Sequence, residues 1–171
     1  MNPASIDIFC HVIDNYGDAG VVYRFAKEIK KCLHDCDIRV FIDNIETLSS
    51  IEPLVDRSKQ VQKVGSITFI NSHELTSEMV KRLGIAEVLI EAFACEIPNI
   101  VYDIAVFKSK LIINLDYLSA ESWVEEYHLQ QSLLNSGTAK KFFFMPGFTT
   151  ATGGLILNSS EVENRVQNPE N

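Results

Sequence analysis

The segment from Ile6 to Ala26 joins an apolar run to an amphipathic run through a short polar turn. The apolar run ends at Ile13 and has the length of a strand that is buried on both faces. Hydrophobic residues then recur at helical spacing from Val21 to Leu33. A strand, a glycine-containing turn and a helix, in this order, form the first unit of an α/β domain, and such domains bind ligands at that turn. The segment therefore predicts both a fold class and the place of the functional site.

The same alternation of apolar runs and helical segments continues along the chain. Further strands are predicted at 39–42, 66–70, 88–90, 111–115 and 141–145. Helical segments are predicted at 47–55, 75–83, 98–107 and 122–127, the last with a capping box formed by Ser122 and Glu125. This order predicts a Rossmann-like α/β fold, a mostly parallel sheet with helices on both faces. Residues 1–157 are expected to form one domain, and the polar stretch 158–171 a tail or the start of a linker.

Composition excludes several classes of protein. The net charge of −8 over 171 residues disfavours nonspecific nucleic-acid binding, which needs clustered Lys and Arg. The sequence contains neither an apolar run of the roughly 18 residues that a membrane span needs nor a visible signal peptide. We therefore expect a cytoplasmic protein without a membrane partner. The four cysteines lack a CxxC pair and are predicted to be free thiols; they are Cys10, Cys32, Cys36 and Cys95.

Acidic residues follow three of the predicted buried strands. They are Asp14 and Asp18, Glu91 and Glu96, and Asp116 and Glu121. Because parallel strands share the edge at which their carboxyl ends lie, we expect these side chains to meet at one edge of the sheet. Such a set would hold a cation, either a metal ion or a basic side chain, and would bind a diphosphate poorly. Taken singly, each also fits a structural role, and Asp18 fits the N-cap of the first helix.

Gly17 and Gly20 only partly match a dinucleotide-binding fingerprint, because GxGxxG is absent. The sequence also lacks a P-loop, a GxSxG elbow and HExxH. The common nucleotide and hydrolase signatures are therefore missing, and the two aspartates of the first turn are its most distinctive feature.

Four stretches of the sequence closely resemble one known family, the arginine rhamnosyltransferases of elongation factor P (EarP). They are FCHVIDNYGDAGVVYRFA at 9–26, IEAFACEIP at 90–98, INLDYLSAESWVEEYH at 113–128 and FFFMPGFTTATGGL at 142–155. The resemblance implies the N-terminal half of a GT-B glycosyltransferase, an inverting enzyme that moves rhamnose from dTDP-β-L-rhamnose to an arginine of elongation factor P. It implies no metal and no cofactor besides this donor substrate.

The resemblance also implies roles for individual residues. Asp18 would be the general base, and Asp14 would orient the guanidinium of the acceptor arginine. Asn15, Tyr16 and Gly17 would lie against the donor sugar. The acceptor would be bound by the remaining residues of the carboxyl edge, which are Glu91, Glu96, Asp116, Tyr117 and Glu121. The nucleotide-sugar domain of the family is expected to be absent from this chain, which would fold but would not transfer sugar alone.

Two alternatives remain at this point. The chain could be a non-catalytic acidic module that only docks elongation factor P, or an unrelated Rossmann-like enzyme with a metal ion at the carboxylate edge. If a facing domain is missing, an apolar face is also expected to be exposed, with 142–148 and 150–154 as its candidates.

Overall fold

The computed structural model describes residues 2–93, 95–156 and 167, and within them an α/β domain is built on one sheet. Its strands are β1 Ser5–Cys10, β2 Asp37–Ile42, β3 Val61–Val64, β4 Ile67–Asn71, β5 Val88–Ala92, β6 Leu111–Leu115, β7 Gln131–Ser132 and β8 Lys140–Phe144. Its α-helices are α1 Asn15–Cys32, α2 Ile45–Ile51, α3 Ser77–Leu83, α4 Asn99–Lys108 and α5 Trp123–Tyr127. A 3₁₀ turn at Ser72–Glu74 follows β4.

The sheet has the strand order β3-β4-β2-β1-β5-β6-β8-β7. Pairing is parallel from β4 through to β8, and only β3 and β7 pair antiparallel, each at an outer edge. The predicted mostly parallel sheet is therefore confirmed. The chain moves outward in one direction from β1 to β2 and in the other from β5 to β6. This reversal makes the carboxyl end of β1 and β5 the topological switch point, where open α/β sheets bind ligands.

Two apolar cores cover the two faces of the sheet. On one face α1 and α2 pack on the strands through Ala19, Val22 and Leu48. On the other face α3 and α4 pack through Val80 and Val101. The prediction of helices on both faces is confirmed. All four cysteines are free, and Cys10 and Cys36 are buried.

A buried ion pair connects the neighbouring strands β1 and β2 with the end of α3. Arg39 of β2 donates two hydrogen bonds to the carboxylate of Asp7 in β1, at 2.6 and 2.7 Å. The same guanidinium donates to the backbone carbonyl oxygens of Leu83 and Gly84. Because both side chains are almost fully buried, these contacts satisfy charges that would otherwise be costly.

Several element boundaries differ from the prediction. Helix α1 begins at Asn15, six residues before the predicted start, so Asp18 is not its N-cap but lies in its first turn. The capping box at Ser122 is wrong as well, because that side chain makes no capping hydrogen bond. The two antiparallel strands β3 and β7 were not predicted. Both are short and lie at the edges of the sheet, where burial imposes little pattern on the sequence.

The position of Glu91 differs from the prediction, because it lies inside β5 and not after the end of the strand.

Within the described ranges, no helix combines the length and the apolar character needed to cross a bilayer. The predicted tail at 158–171 lies outside the described residues, apart from Gln167.

Candidate active site at the carboxyl edge of the sheet

Asp18 is the most enclosed carboxylate at the switch point. It is 2% exposed, and one of its oxygens, Oδ2, accepts the backbone N–H groups of Ile13 and Asp14, each at 2.9 Å. The other oxygen, Oδ1, accepts the hydroxyl of Tyr117 at 3.1 Å. In the described part of the chain no Lys, Arg or His forms an ion pair with Asp18. Its charge is therefore stabilised by hydrogen bonds alone.

Tyr117 brings the loop after β6 onto the start of α1. Its ring stacks on Phe93 with 4.6 Å between ring centroids and 18° between the planes. Burial, followed by the hydrogen bond to Asp18, raises the pKa of Tyr117 to about 12. The hydroxyl consequently keeps its proton at neutral pH and remains a donor to the carboxylate. The backbone N–H of Tyr117 donates to Asp116 Oδ1 at 2.7 Å, which fixes the start of this loop.

Phe93, which supports this ring, has a strained backbone. Its φ of 58° lies in the left-handed region, which a non-glycine residue occupies at a cost of about 1–3 kcal/mol. Its N–H donates to the carbonyl oxygen of Leu115 at 2.7 Å, and its side chain is buried. Such strain persists only where surrounding contacts enforce it and is frequent at functional sites.

Asp14 and Gly17 lie beside Asp18 at the surface. Asp14 is exposed and occupies the N-cap position of α1, but its side chain makes no capping hydrogen bond. A Cβ atom on Gly17 would come within 2.9 Å of the Asp14 carboxylate, so the absence of a side chain lets that carboxylate lie against the first helical turn. Tyr16 is 63% exposed beside them. Asn15 is described only as the first residue of α1.

The structure separates Glu91 from this group. Its carboxylate is buried and pairs with Lys141 Nζ at 2.5 Å, and it accepts from Asn114 Nδ2 at 3.3 Å. Glu91 shares the sheet face of Leu89, which packs in the core under α3 and α4, whereas Asp18 lies on the α1 side. A neighbouring lysine thus already balances the charge of Glu91.

The other predicted acceptor residues are divided between two places. Asp116 directly precedes Tyr117, is half-buried, and accepts the backbone N–H of that tyrosine. Glu121 is exposed, and its backbone N–H donates to the Ser119 hydroxyl. Glu96 is exposed as well, and it lines a separate cleft on the other side of the end of β1. The carboxylates therefore share one edge of the sheet without forming one cluster.

Sequence reasoning missed Asp43, which directly follows β2. Its Oδ1 accepts the backbone N–H of Val12 at 2.9 Å, and its Oδ2 pairs with His11 Nδ1. Asp43 and Asp18 together hold three successive backbone N–H groups between β1 and α1. The rule that selected Asp14, a carboxylate at the end of a buried strand, would also have selected Asp43.

This arrangement suits a cationic or polar ligand. A carboxylate whose four lone-pair sites are only partly used retains capacity to accept a further hydrogen bond or a proton. The first turn offers no bare glycine loop of the kind that cradles a diphosphate. In the part of the chain that the structure describes, no three His, Cys, Asp or Glu side chains are grouped so that they could hold a metal ion.

Fold and site together define the class of protein. An open, mostly parallel sheet carries a buried aspartate at its switch point, so this is a Rossmann-like domain with a carboxylate at the edge where such sheets bind ligands.

Comparison with known proteins identifies the family. The family described as elongation factor P (EF-P) rhamnosyltransferase EarP matches residues 6–170. The chain is 42% identical over 162 residues to a protein-arginine rhamnosyltransferase of Shewanella oneidensis, which covers 91% of the chain. It is 37% identical to the protein of the same name from Pseudomonas aeruginosa and 34% identical to that from Neisseria meningitidis, over 95% and 87% of the chain. The chain belongs to the EarP family. It spans 40%, 42% and 37% of the length of these three relatives.

Proposed function

We propose that this chain is the acceptor-side domain of an inverting protein-arginine rhamnosyltransferase. The enzyme would transfer rhamnose from dTDP-β-L-rhamnose to one arginine of elongation factor P, without a metal ion. The nucleotide sugar would be held by a region that the longer relatives contain beyond the matched part. Alone, this chain would bind the acceptor and would not transfer sugar.

The observation that carries the proposal is the environment of Asp18, in a chain that matches the EarP family along nearly its whole length. Asp18 is buried at the switch point, is held by two backbone N–H groups and Tyr117, and has no cationic partner among the described residues. An arginine of a protein substrate would supply that cation. The guanidinium is planar and offers several N–H donors, so it matches a carboxylate geometrically as well as electrically.

The chemistry needs such a carboxylate because a guanidinium is a poor nucleophile. Its pKa exceeds about 12, so it enters the site protonated, and its nitrogen carries no free electron pair. In the proposed step a guanidino nitrogen attacks the anomeric carbon of rhamnose while the bond from that carbon to the diphosphate oxygen breaks. The nitrogen loses one proton to Asp18, and dTDP leaves with the bonding electrons. Attack opposite the leaving group inverts the anomeric configuration.

The remaining residues of the turn complete the proposed site. Asp14 is exposed beside Asp18 and would orient the guanidinium as it approaches. Tyr16 and Gly17, with Asn15, would face the sugar. Tyr117 would act on Asp18 rather than on the substrate, since its hydroxyl occupies one lone pair of Oδ1 and keeps the carboxylate from rotating.

A binding and complementation experiment tests the proposal. Labelled elongation factor P is titrated with the chain, and transfer is then measured before and after adding in trans the part of the Shewanella oneidensis relative that lies beyond the match. We expect binding without transfer, followed by transfer once the second part is present. Binding of elongation factor P with transfer absent from every combination would instead favour a docking module. Heat released on titration with Mg²⁺ or Mn²⁺ would favour the metal-dependent alternative.

A further inference from the structure

A second cleft opens at the carboxyl edge of the sheet, on the other side of the end of β1 from Asp18. It has a volume of about 400 Å³, within the range of ligand pockets. Its floor is apolar and is formed by Phe9 and Phe41, which lie opposite each other in β1 and β2 and stack at 4.5 Å. Nothing in the proposed transfer step uses this cleft.

The rim of the cleft is polar and carries two carboxylates. Asp43 is the less accessible of the two, and its carboxylate already accepts a hydrogen bond from the Val12 N–H and pairs with His11. Glu96 is exposed, and within the described ranges its carboxylate forms no ion pair. His73, from the 3₁₀ turn, stands on the rim as well. An occupant with an apolar stem and a positive end would satisfy both parts of this cleft.

The cleft is also close to the proposed reaction centre. His11 lines it, and Asp14 lies only three residues further along the chain, so at most about 11 Å separates their Cα atoms. Cys10, the last residue of β1, also lines the cleft, so the strand that borders the cleft leads directly into the Asp18 turn. An extended peptide covers the same distance in two or three residues.

We propose that this cleft receives a second basic side chain of the protein acceptor, a lysine or arginine two or three residues from the arginine that is modified. The aliphatic stem would lie on Phe9 and Phe41, as long cationic side chains do on apolar surfaces, and the charged end would meet Glu96. The cleft would thus select which arginine enters the site. This inference rests on the proposed function, since it assumes a protein acceptor.

Paired peptides test the inference with the chain as it stands. Fluorescent nonapeptides with a central arginine carry either lysine or norleucine at one of the positions −3, −2, +2 and +3, and their affinities are measured by anisotropy at low salt. Norleucine keeps the stem of lysine and removes its charge. In at least one pair we expect the lysine peptide to bind about three- to tenfold more tightly.

Substitution of Glu96 assigns that preference to the cleft. Glu96→Gln should abolish the advantage of the lysine peptide over the norleucine peptide, and it should not affect folding because the side chain is exposed. Glu78→Gln, which removes an exposed carboxylate from α3 outside the cleft, should preserve the advantage. Equal affinities within all four pairs, including an absence of measurable binding, would overturn the inference, as would an advantage that survives Glu96→Gln.

Replacing the central arginine by citrulline separates this inference from the proposed function. If citrulline weakens binding while lysine and norleucine remain equivalent, the acceptor site stands and the cleft assignment fails. If citrulline has no effect while the lysine advantage depends on Glu96, the cleft binds a basic side chain and the proposed arginine site fails.

Discussion

At the scale of single residues, the site depends on a hydrogen bond between Asp18 and Tyr117, which are 99 positions apart in the sequence. The phenol donates, the carboxylate accepts, and the strained Phe93 supports the ring from below. Two backbone N–H groups hold the other carboxylate oxygen. Asp18 therefore has a fixed orientation, which the proposed proton transfer to this carboxylate requires.

The titration of Tyr117 provides a test at this scale. An unfolded tyrosine loses its proton near pH 10, whereas burial and Asp18 raise the pKa of Tyr117 to about 12 in the folded chain. The folded state then binds more protons than the unfolded state between these values, so this stabilisation is fully present below about pH 10 and is lost as the pH rises to about 12. Burial and Glu52 shift the pKa of Tyr23 in the same direction, also to about 12.

We expect ultraviolet titration at alkaline pH to show two tyrosine side chains of the folded chain that lose their protons only near pH 12, here called late phenols. Tyr117→Phe should remove one of them. The same substitution should reduce the drop in the free energy of unfolding between pH 9 and pH 11, measured by urea denaturation. Tyr23→Phe is the matched variant, and it should remove the other late phenol. A Tyr117→Phe variant that retains both late phenols would show that the Tyr117 hydroxyl is not held by Asp18.

At the scale of elements, the sequence predicts the sheet better than it predicts the start of α1. Buried parallel strands such as β5 and β6 are continuous apolar runs, which a single sequence reveals. The first two turns of α1 contain Gly17 and Gly20, which disfavour a helix by propensity. Side-chain hydrogen bonds of Asp18 oppose that propensity, because its carboxylate holds the N–H groups of Ile13 and Asp14 just before the helix. Such contacts leave no periodic signal in the sequence.

The location of the candidate site could be predicted from the sequence, but the contacts within it could not. Its edge of the sheet and its two aspartates follow from strand order, because carboxyl ends of parallel strands coincide. The partners of the carboxylates do not follow, since pairs such as Glu91 with Lys141 join strands distant in sequence. A sequence pattern indicates at which edge of the sheet polar residues lie, but not which charges meet in space.

The buried pair of Asp7 and Arg39 connects three elements, and its removal should be costly. Arg39→Leu leaves the Asp7 carboxylate buried without a partner, and we expect a loss of about 3–5 kcal/mol in the free energy of unfolding. The double variant Asp7→Leu with Arg39→Leu removes both charges and should lose less than Arg39→Leu alone. Urea denaturation of the variants measures these changes. A double variant less stable than Arg39→Leu would contradict this explanation.

Two glycines at positive φ should respond differently to alanine. Gly84 ends α3 with a φ of 70°, and a Cβ atom there would meet nothing within 4 Å. Gly137 has a φ of 97°, and its Cβ would lie 2.3 Å from the Val106 carbonyl oxygen, which accepts the N–H groups of Thr138 and Ala139.

We therefore expect Gly84→Ala to cost about 1–3 kcal/mol through backbone strain alone, because φ 70° with ψ 177° is a conformation that essentially only glycine adopts. Gly137→Ala should cost clearly more, because the loop before β8 must also move away from α4. Thermal and urea denaturation of both variants provide the comparison. Equal losses would mean that the loop accommodates a methyl group without disturbing its hydrogen bonds.

At the scale of the whole molecule, the carboxyl edge combines a buried carboxylate with exposed apolar side chains. Ile13 is 70% exposed beside the Asp18 turn, and Phe148 is 64% exposed after β8. Of the predicted apolar face at 142–148, Phe148 is thus exposed, whereas Met145 is buried. Exposed apolar side chains suit a surface that contacts further protein where they form a continuous patch. The chain spans about two-fifths of the length of its Shewanella relative.

The central claim, that Asp18 takes the proton from the acceptor arginine, is tested most directly by Asp18→Asn. The substitution is made in this domain joined to the part of the Shewanella oneidensis relative that lies beyond the match, and rhamnose transfer to elongation factor P is measured under single-turnover conditions. The asparagine oxygen can still accept the two backbone N–H groups, so the circular dichroism spectrum should remain close to that of the parent protein. We predict that transfer falls by at least about a hundredfold while Glu78→Gln has no effect. Near-normal transfer by a folded Asp18→Asn variant would contradict the account.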